Sequence, residues 1–210
     1  MKQITNWRKA TVADIEADAL LDEATKIHVL SYHLFGGNAG SLSGSELERV
    51  IKFFNYHLDD KIPVIMHNGI SYDIPLVEKL LGLDLSNLMV IDTLSLSWYL
   101  NTERNSHGLD SFFEDYGIAK PKIDDWENLT YDEYKHRCEE DVKINVALWE
   151  DFKEVRRAFP WVADLNEPRQ AVIYDMAFNM GIGGLQSFTT TMPLIREGKY
   201  GQARMNIFVS

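Results

Sequence analysis

Apolar residues along the chain fall into short blocks of two different periods. Lys9–Ile15 and Lys26–Leu34 are both β-favouring, and a turn through Asp18–Ala24 joins them into an expected opening hairpin. Phe35–Gly44 is rich in Gly, Ser and Asn and reads as a loop. Leu47, Val50, Ile51, Phe54 and Leu58 then recur with helical period, behind Ser45 and Glu48 spaced as a capping box. Short apolar runs at Ile62–Met66 and Leu88–Ile91 alternate with helical stretches near Ile74–Leu81, Thr93–Leu100 and Leu109–Tyr116. After a polar, irregular stretch from Asp124, a second capping pair, Thr130 and Glu133, opens a long helix to about Ala158. Strands followed by alternating strands and helices predict an α/β or α+β sheet domain.

Pro160 lies just past that helix, and Asn166-Glu167-Pro168 reads as a turn with a first-turn proline. A domain boundary is therefore expected between 1–158 and 159–210. In the second part Ala171, Ile173, Met176, Ala177 and Met180 make one apolar helical face, which Gly181-Ile182-Gly183-Gly184 terminates. Two shorter helices near Thr190–Glu197 and Gly201–Phe208 complete a small α-helical unit.

Composition narrows the class. With 210 residues, 45% hydrophobic and 25% charged, the chain has the make-up of one globular domain plus an appendage and is too short for a multidomain polymerase or motor. No run reaches the roughly 18 apolar residues of a membrane span. The single Cys138 cannot form an internal disulfide, and no early stretch reads as a secretory signal, so an intracellular setting is expected. The net charge of −11 lies entirely in 1–158, because 159–210 holds four cations and four anions. Such a chain does not coat long nucleic acid by phosphate neutralisation alone. A short end is within reach if metal ions supply the positive charge.

Among 32 acids, four stand out by position. Asp14 and Glu16 alternate near the end of the first expected strand and so share a face. Asp73 follows the loop His67-Asn68-Gly69-Ile70-Ser71-Tyr72, and Asp141 interrupts a partly apolar helix beside Val142, Ile144 and Val146. Converging at one end of a sheet, they would form an all-oxygen site for Mg²⁺ or Mn²⁺.

This ordered set resembles the DEDD 3′–5′ exonucleases. Asp14-Ile15-Glu16 matches their D-x-E motif, Asn68 through Asp73 their second motif, and Asp141 their third. Asp14 through Leu21, His67 through Pro75, Ile91-Asp92-Thr93-Leu94 and Ser106-His107-Gly108-Leu109 are similar, in order and spacing, to the proofreading exonuclease region of phage family A DNA polymerases. The resemblance covers about residues 9–155. It implies a ribonuclease-H-like mixed sheet flanked by helices, which removes nucleotides from a single-stranded DNA 3′ end by two-metal-ion hydrolysis. Asp14, Glu16, Asp73 and Asp141 would be the metal ligands, with Asp14 bridging two Mg²⁺ or Mn²⁺ ions. It further implies a phage protein in the cytoplasm of a bacterial host, with a separate DNA polymerase as a partner and no membrane.

One position departs from that pattern. Exonucleases of this kind usually carry Tyr four residues before the last Asp, where this chain has Arg137, whereas a sister branch uses His five residues before, which His136 matches. On an ideal helix His136 and Asp141 are about 140° apart, while Arg137 shares the Asp141 face. His136 is nevertheless the expected water-activating residue, with Tyr134 in reserve. Asn68, Leu20 and Tyr72 are the expected substrate contacts, with Leu20 as a wedge against the last base. Asp92 and Thr93 are expected to cap the following helix, His107 to be structural, and Trp98, Trp126 and Trp149 to be core.

The tail resembles a different family. Arg169 through Val172, Asp175 through Gly181, Gly184, Phe188, Gly198-Lys199-Tyr200 and Ala203 are similar to the C-terminal helical lobe of phage lysozymes of the T4 type. Those enzymes carry their catalytic acids on another lobe, which has no counterpart here, and glycoside hydrolysis needs two carboxylates across the sugar bond. No cell-wall glycosidase activity is therefore expected. The alternatives to the exonuclease are a lysozyme-type cell-wall glycosidase acting through the tail and a non-catalytic nucleic-acid-end or partner-binding module.

Overall fold

In the computed structural model, residues 9–100, 104–118 and 129–207 are described. Five strands form one mixed sheet: β1 (Thr11–Ala17), β2 (Ile27–Leu34), β3 (Ala39–Ser43), β4 (Val64–Met66) and β5 (Val90–Asp92), in the order β3-β2-β1-β4-β5. β1 is the central strand, antiparallel to β2 and parallel to β4. This is the expected ribonuclease-H-like α/β arrangement.

β3 corrects the sequence reading of 35–44 as a loop. Its residues, Ala-Gly-Ser-Leu-Ser, have weak strand preference, and pairing with β2 decides their conformation. The expected capping box is also displaced. Helix α1 (Leu47–Asp59) starts behind Glu46, and the Glu46 carboxylate, one residue beyond Ser45, accepts from Ser43 N–H at 3.3 Å.

Alternation along β1 sorts its side chains onto two faces. Ala13 and Ile15 enter the main core with Leu30, Val50, Phe54, Met66, Leu76 and Val77. Val50 and Phe54 come from α1, and Leu76 and Val77 from α2 (Asp73–Leu81). Asp14 and Glu16 project from the other face. Helix α5 (Tyr131–Ala158) packs there through Tyr134 and Cys138 against Val29 of β2. Between them in sequence lie α3 (Thr93–Leu100), a single 3₁₀ turn at Leu109–Ser111 and the short α4 (Phe113–Tyr116). The α5 capping box forms as expected, with Glu133 accepting from Thr130 N–H at 2.8 Å and Thr130 Oγ1 accepting from Glu133 N–H at 3.3 Å.

Contacts divide the chain into two compact units, Met1–Leu96 with Ser106–Leu148, and Ser97–Asn105 with Trp149–Ser210. The second contains α6 (Glu167–Ser187), α7 (Thr191–Arg196) and α8 (Tyr200–Ile207). Asn166 caps α6, its side chain accepting from Arg169 N–H at 3.3 Å. Gly181, at φ 71°, breaks the helical conformation where the glycine run was expected to end it, but helix resumes up to Ser187. Phe159, Val162, Ile173, Ala177, Leu185, Met192, Ile195 and Ala203 form this unit's own core.

Candidate metal centre

Three elements bring the acids together. Asp14 lies mid-strand in β1 and Glu16 near its end, next to a register shift between Glu16 and Ala17 that turns the strand end. Asp141 comes from the face of α5 laid over that strand. Oxygen atoms of Asp14, Glu16 and Asp141 lie within 4.8 Å of one another, the single such group of metal-binding side chains among the described residues. Asp73, the first residue of α2, is outside this triplet but electrostatically joined to it. Its Oδ1 accepts from the backbone N–H of Ile15, between the two β1 acids, at 3.1 Å.

These carboxylates bear on one another. Burial, then the charges of Asp141, Asp73 and Glu16, push the Asp14 carboxyl well above the usual range. Burial likewise pushes Asp73 up to about 7, against the pull of the Ile15 N–H, with Glu16 and Asp92 adding to the rise. Hard oxygen donors gathered this closely in sheltered surroundings fit a divalent cation such as Mg²⁺ or Mn²⁺.

The loop before Asp73 is shaped for its position. Asn68 adopts a left-handed conformation at φ 66°. A Cβ on Gly69 would lie 2.4 Å from Met66 Cβ, so glycine alone fits there. Asp92 grips the loop, its Oδ1 accepting from Asn68 N–H at 3.3 Å and its Oδ2 from Ile70 N–H at 3.1 Å. It also caps α3 as expected, accepting from Ser95 N–H at 3.0 Å. Its hold on the loop is a role that sequence spacing did not expose.

The other candidates are placed as follows. Tyr72 Oη donates to the Ala19 carbonyl at 2.8 Å, tying the β1–β2 turn to the Asp73 loop. Burial, then the nearby acids led by Asp73, push its phenol up to about 12. Leu20, on that turn, is 78% exposed, and Asn68 is exposed at the loop. The His136 side chain is 61% exposed and stands 3.8 Å from Glu140 on the α5 surface, so it is not brought to the triplet. Tyr134 is buried and stacked on His28, with ring centroids 3.9 Å apart. His107 is buried, Trp98 is 59% exposed rather than core, Trp149 is half-buried, and Trp126 lies outside the described residues.

Two neighbours of the triplet went unassigned in the sequence. Arg137 Nε donates to Glu16 Oε1 at 2.9 Å. Cys138 Sγ lies 3.3 Å from the Asp14 carbonyl and 3.4 Å from Asp14 Oδ2. Their spacing of four and three residues before Asp141 puts both on its face of the helix, which is the signal that marks them.

No family model and no curated protein matches the chain. Solved structures do. NrnC from Brucella melitensis bound to pGG is similar with a TM-score of 0.52 and 16% identity, over 89% of this chain and 88% of NrnC. A nuclease in its apo form gives a TM-score of 0.53 at 15% identity, over 96% of this chain and 86% of the other. The family B DNA polymerase from the hyperthermophilic archaeon Pyrobaculum calidifontis gives 0.53 at 13% identity, over 90% of this chain and 28% of the polymerase. At these identities the likeness is one of fold, an α/β ribonuclease-H-like arrangement.

Proposed function

We propose that the chain is a metal-dependent nuclease that removes nucleotides from the 3′ end of single-stranded DNA. The observation that carries this reading is the meeting of Asp14, Glu16 and Asp141 oxygens within 4.8 Å, with Asp73 coupled to them. A further brace is that NrnC, whose fold is similar, has been solved with pGG and with Mg²⁺.

When bound, a pair of Mg²⁺ or Mn²⁺ ions supplies an activated water and charge stabilisation at the leaving oxygen. Asp14, Glu16, Asp73 and Asp141 hold that charge in place. Leu20, exposed on the turn that Tyr72 ties down, is suited to press on the terminal base, and Asn68 to orient the terminal nucleotide. For the water-activating group the proposal retains His136, which has to turn from Glu140 toward the triplet when substrate binds. Close likeness to phage family A proofreading exonucleases, work beside a separate polymerase in the host cytoplasm, and a lysozyme-derived tail without glycosidase activity belong to the same proposal.

The test is hydrolysis of single-stranded DNA labelled at either end. Mononucleotides released from the 3′ end with Mg²⁺, and abolished by EDTA, are expected. Internal cuts, release from the 5′ end, or binding without hydrolysis would refute the reading, and faster attack on RNA would change the substrate.

A further inference from the structure

Helix α5 addresses the two acids of β1 through adjacent residues, Cys138 at Asp14 and Arg137 at Glu16. The Arg137–Glu16 pair joins residues 121 apart in sequence, and the two side chains are only 17% and 16% exposed. A surface pair such as Arg49–Glu46, at 58% and 39%, is by contrast held against free solvent and contributes little. Glu16 needs a tether. It sits at the irregular end of β1, and the charges of Asp14 and Asp141 beside it tend to drive an unheld carboxylate outward into water.

We propose, on the basis of the nuclease reading above, that Arg137 is a positioning residue for cation binding. Its guanidinium holds Glu16 through Oε1 against the repulsion of the other acids and keeps that carboxylate turned toward Asp14 and Asp141. A planar guanidinium fixes such an angle where an ammonium does not. Arg137 also carries a charge that repels a cation. The proposal is that ordering Glu16 outweighs this repulsion, because an outward-turned Glu16 removes one ligand altogether.

The experiment titrates the full chain with Mn²⁺ alone, followed by electron paramagnetic resonance and calorimetry, with no nucleic acid present. Arg137→Gln is expected to weaken Mn²⁺ binding about 10- to 100-fold, the usual effect of losing a group that orients a ligand. In a Glu16→Gln background the same substitution should cause no further loss, which a merely structural role would not produce. Unchanged or tighter binding by Arg137→Gln overturns the proposal, as does a full additional loss in the Glu16→Gln background. If Arg137→Gln fails to fold, Arg137→Lys carries the test: several-fold weaker binding supports the role and equality with wild type overturns it. A wild-type chain that binds no Mn²⁺ sinks the nuclease reading and this proposal together, whereas binding that ignores Arg137 sinks this proposal alone.

Discussion

Replacing Asp73 by Asn should make the metal-free protein more stable at alkaline pH while abolishing turnover. Burial and the neighbouring acids move the Asp73 carboxyl from 3.8 to about 7. Its folded value lies above its unfolded one, so its favourable contribution is complete below the unfolded value and is lost as pH rises through about 7. At about 1.4 kcal/mol per pH unit, keeping it ionised at pH 8 costs the fold on the order of 4 kcal/mol. Asparagine keeps the shape and a carbonyl oxygen for the Ile15 N–H, at a loss of about 1 kcal/mol for the weaker hydrogen bond. A net gain of about 3 kcal/mol corresponds to roughly 6–12 °C in melting temperature for a protein of this size.

The assay is thermal unfolding followed by circular dichroism in EDTA, wild type against Asp73→Asn, at pH 5 and pH 8. The gain should be present at pH 8 and shrink to less than about 1 kcal/mol at pH 5, where the folded wild type carries the proton and only the cost of taking it up above the unfolded value of 3.8 remains. Saturating Mg²⁺ at about 100 times its dissociation constant should return about 2.7 kcal/mol to the wild type and less to the variant. An equal difference at both pH values, or destabilisation at pH 8, would refute the argument that this acid is held under electrostatic load.

Three further outcomes are expected. Gly69→Ala puts a methyl 2.4 Å from Met66 Cβ, so the loop must move; because an ångström of misplacement at a reacting centre can remove about 10²-fold in rate, turnover should fall by that order, and wild-type kinetics would refute the fit. Asp92→Ala strips the acceptor from the N–H groups of Asn68, Ile70 and Ser95 and should lower stability in urea by about 1–3 kcal/mol, with no change expected if the loop is held by other means. His136→Ala should reduce turnover by about 10² or more with Mn²⁺ affinity retained, and an unchanged rate would remove His136 from the chemistry.

What the sequence made legible followed from periodicity and order. The β1 alternation put Asp14 and Glu16 on one face, and the Thr130–Glu133 box fixed where α5 begins, and with it the turn that delivers Asp141. β3 was invisible because Gly and Ser carry no strand signal; only its partner β2 determines it. Ser45 was a plausible cap, but the adjacent Glu46 reaches Ser43 N–H and moves the helix start. His136 matched a spacing from another branch, yet the regular helix that sets it about 140° from Asp141 carries it to the Glu140 side. The hold of Asp92 on the loop, and of Arg137 on Glu16, needed tertiary contact to be seen.

The triplet is costly for the fold in a way that bears on function. A central strand could bury an apolar face against α5, as it does against α1 and α2 with Ala13 and Ile15. Instead β1 sets Asp14 and Glu16 under that helix, and α5 adds Asp141. Each is offset in part: Glu16 by Arg137, Asp73 by the Ile15 N–H, Asp14 by the Cys138 thiol, itself pushed up by burial and by the Asp14 charge. None of these offsets by itself neutralises the four carboxylates. The remaining negative charge is a demand for cations, and under the proposed nuclease function it also resolves the apparent conflict with a polyanionic substrate. In a chain whose −11 lies wholly in 1–158, the proposed phosphodiester substrate would reach these acids only with metal ions between them.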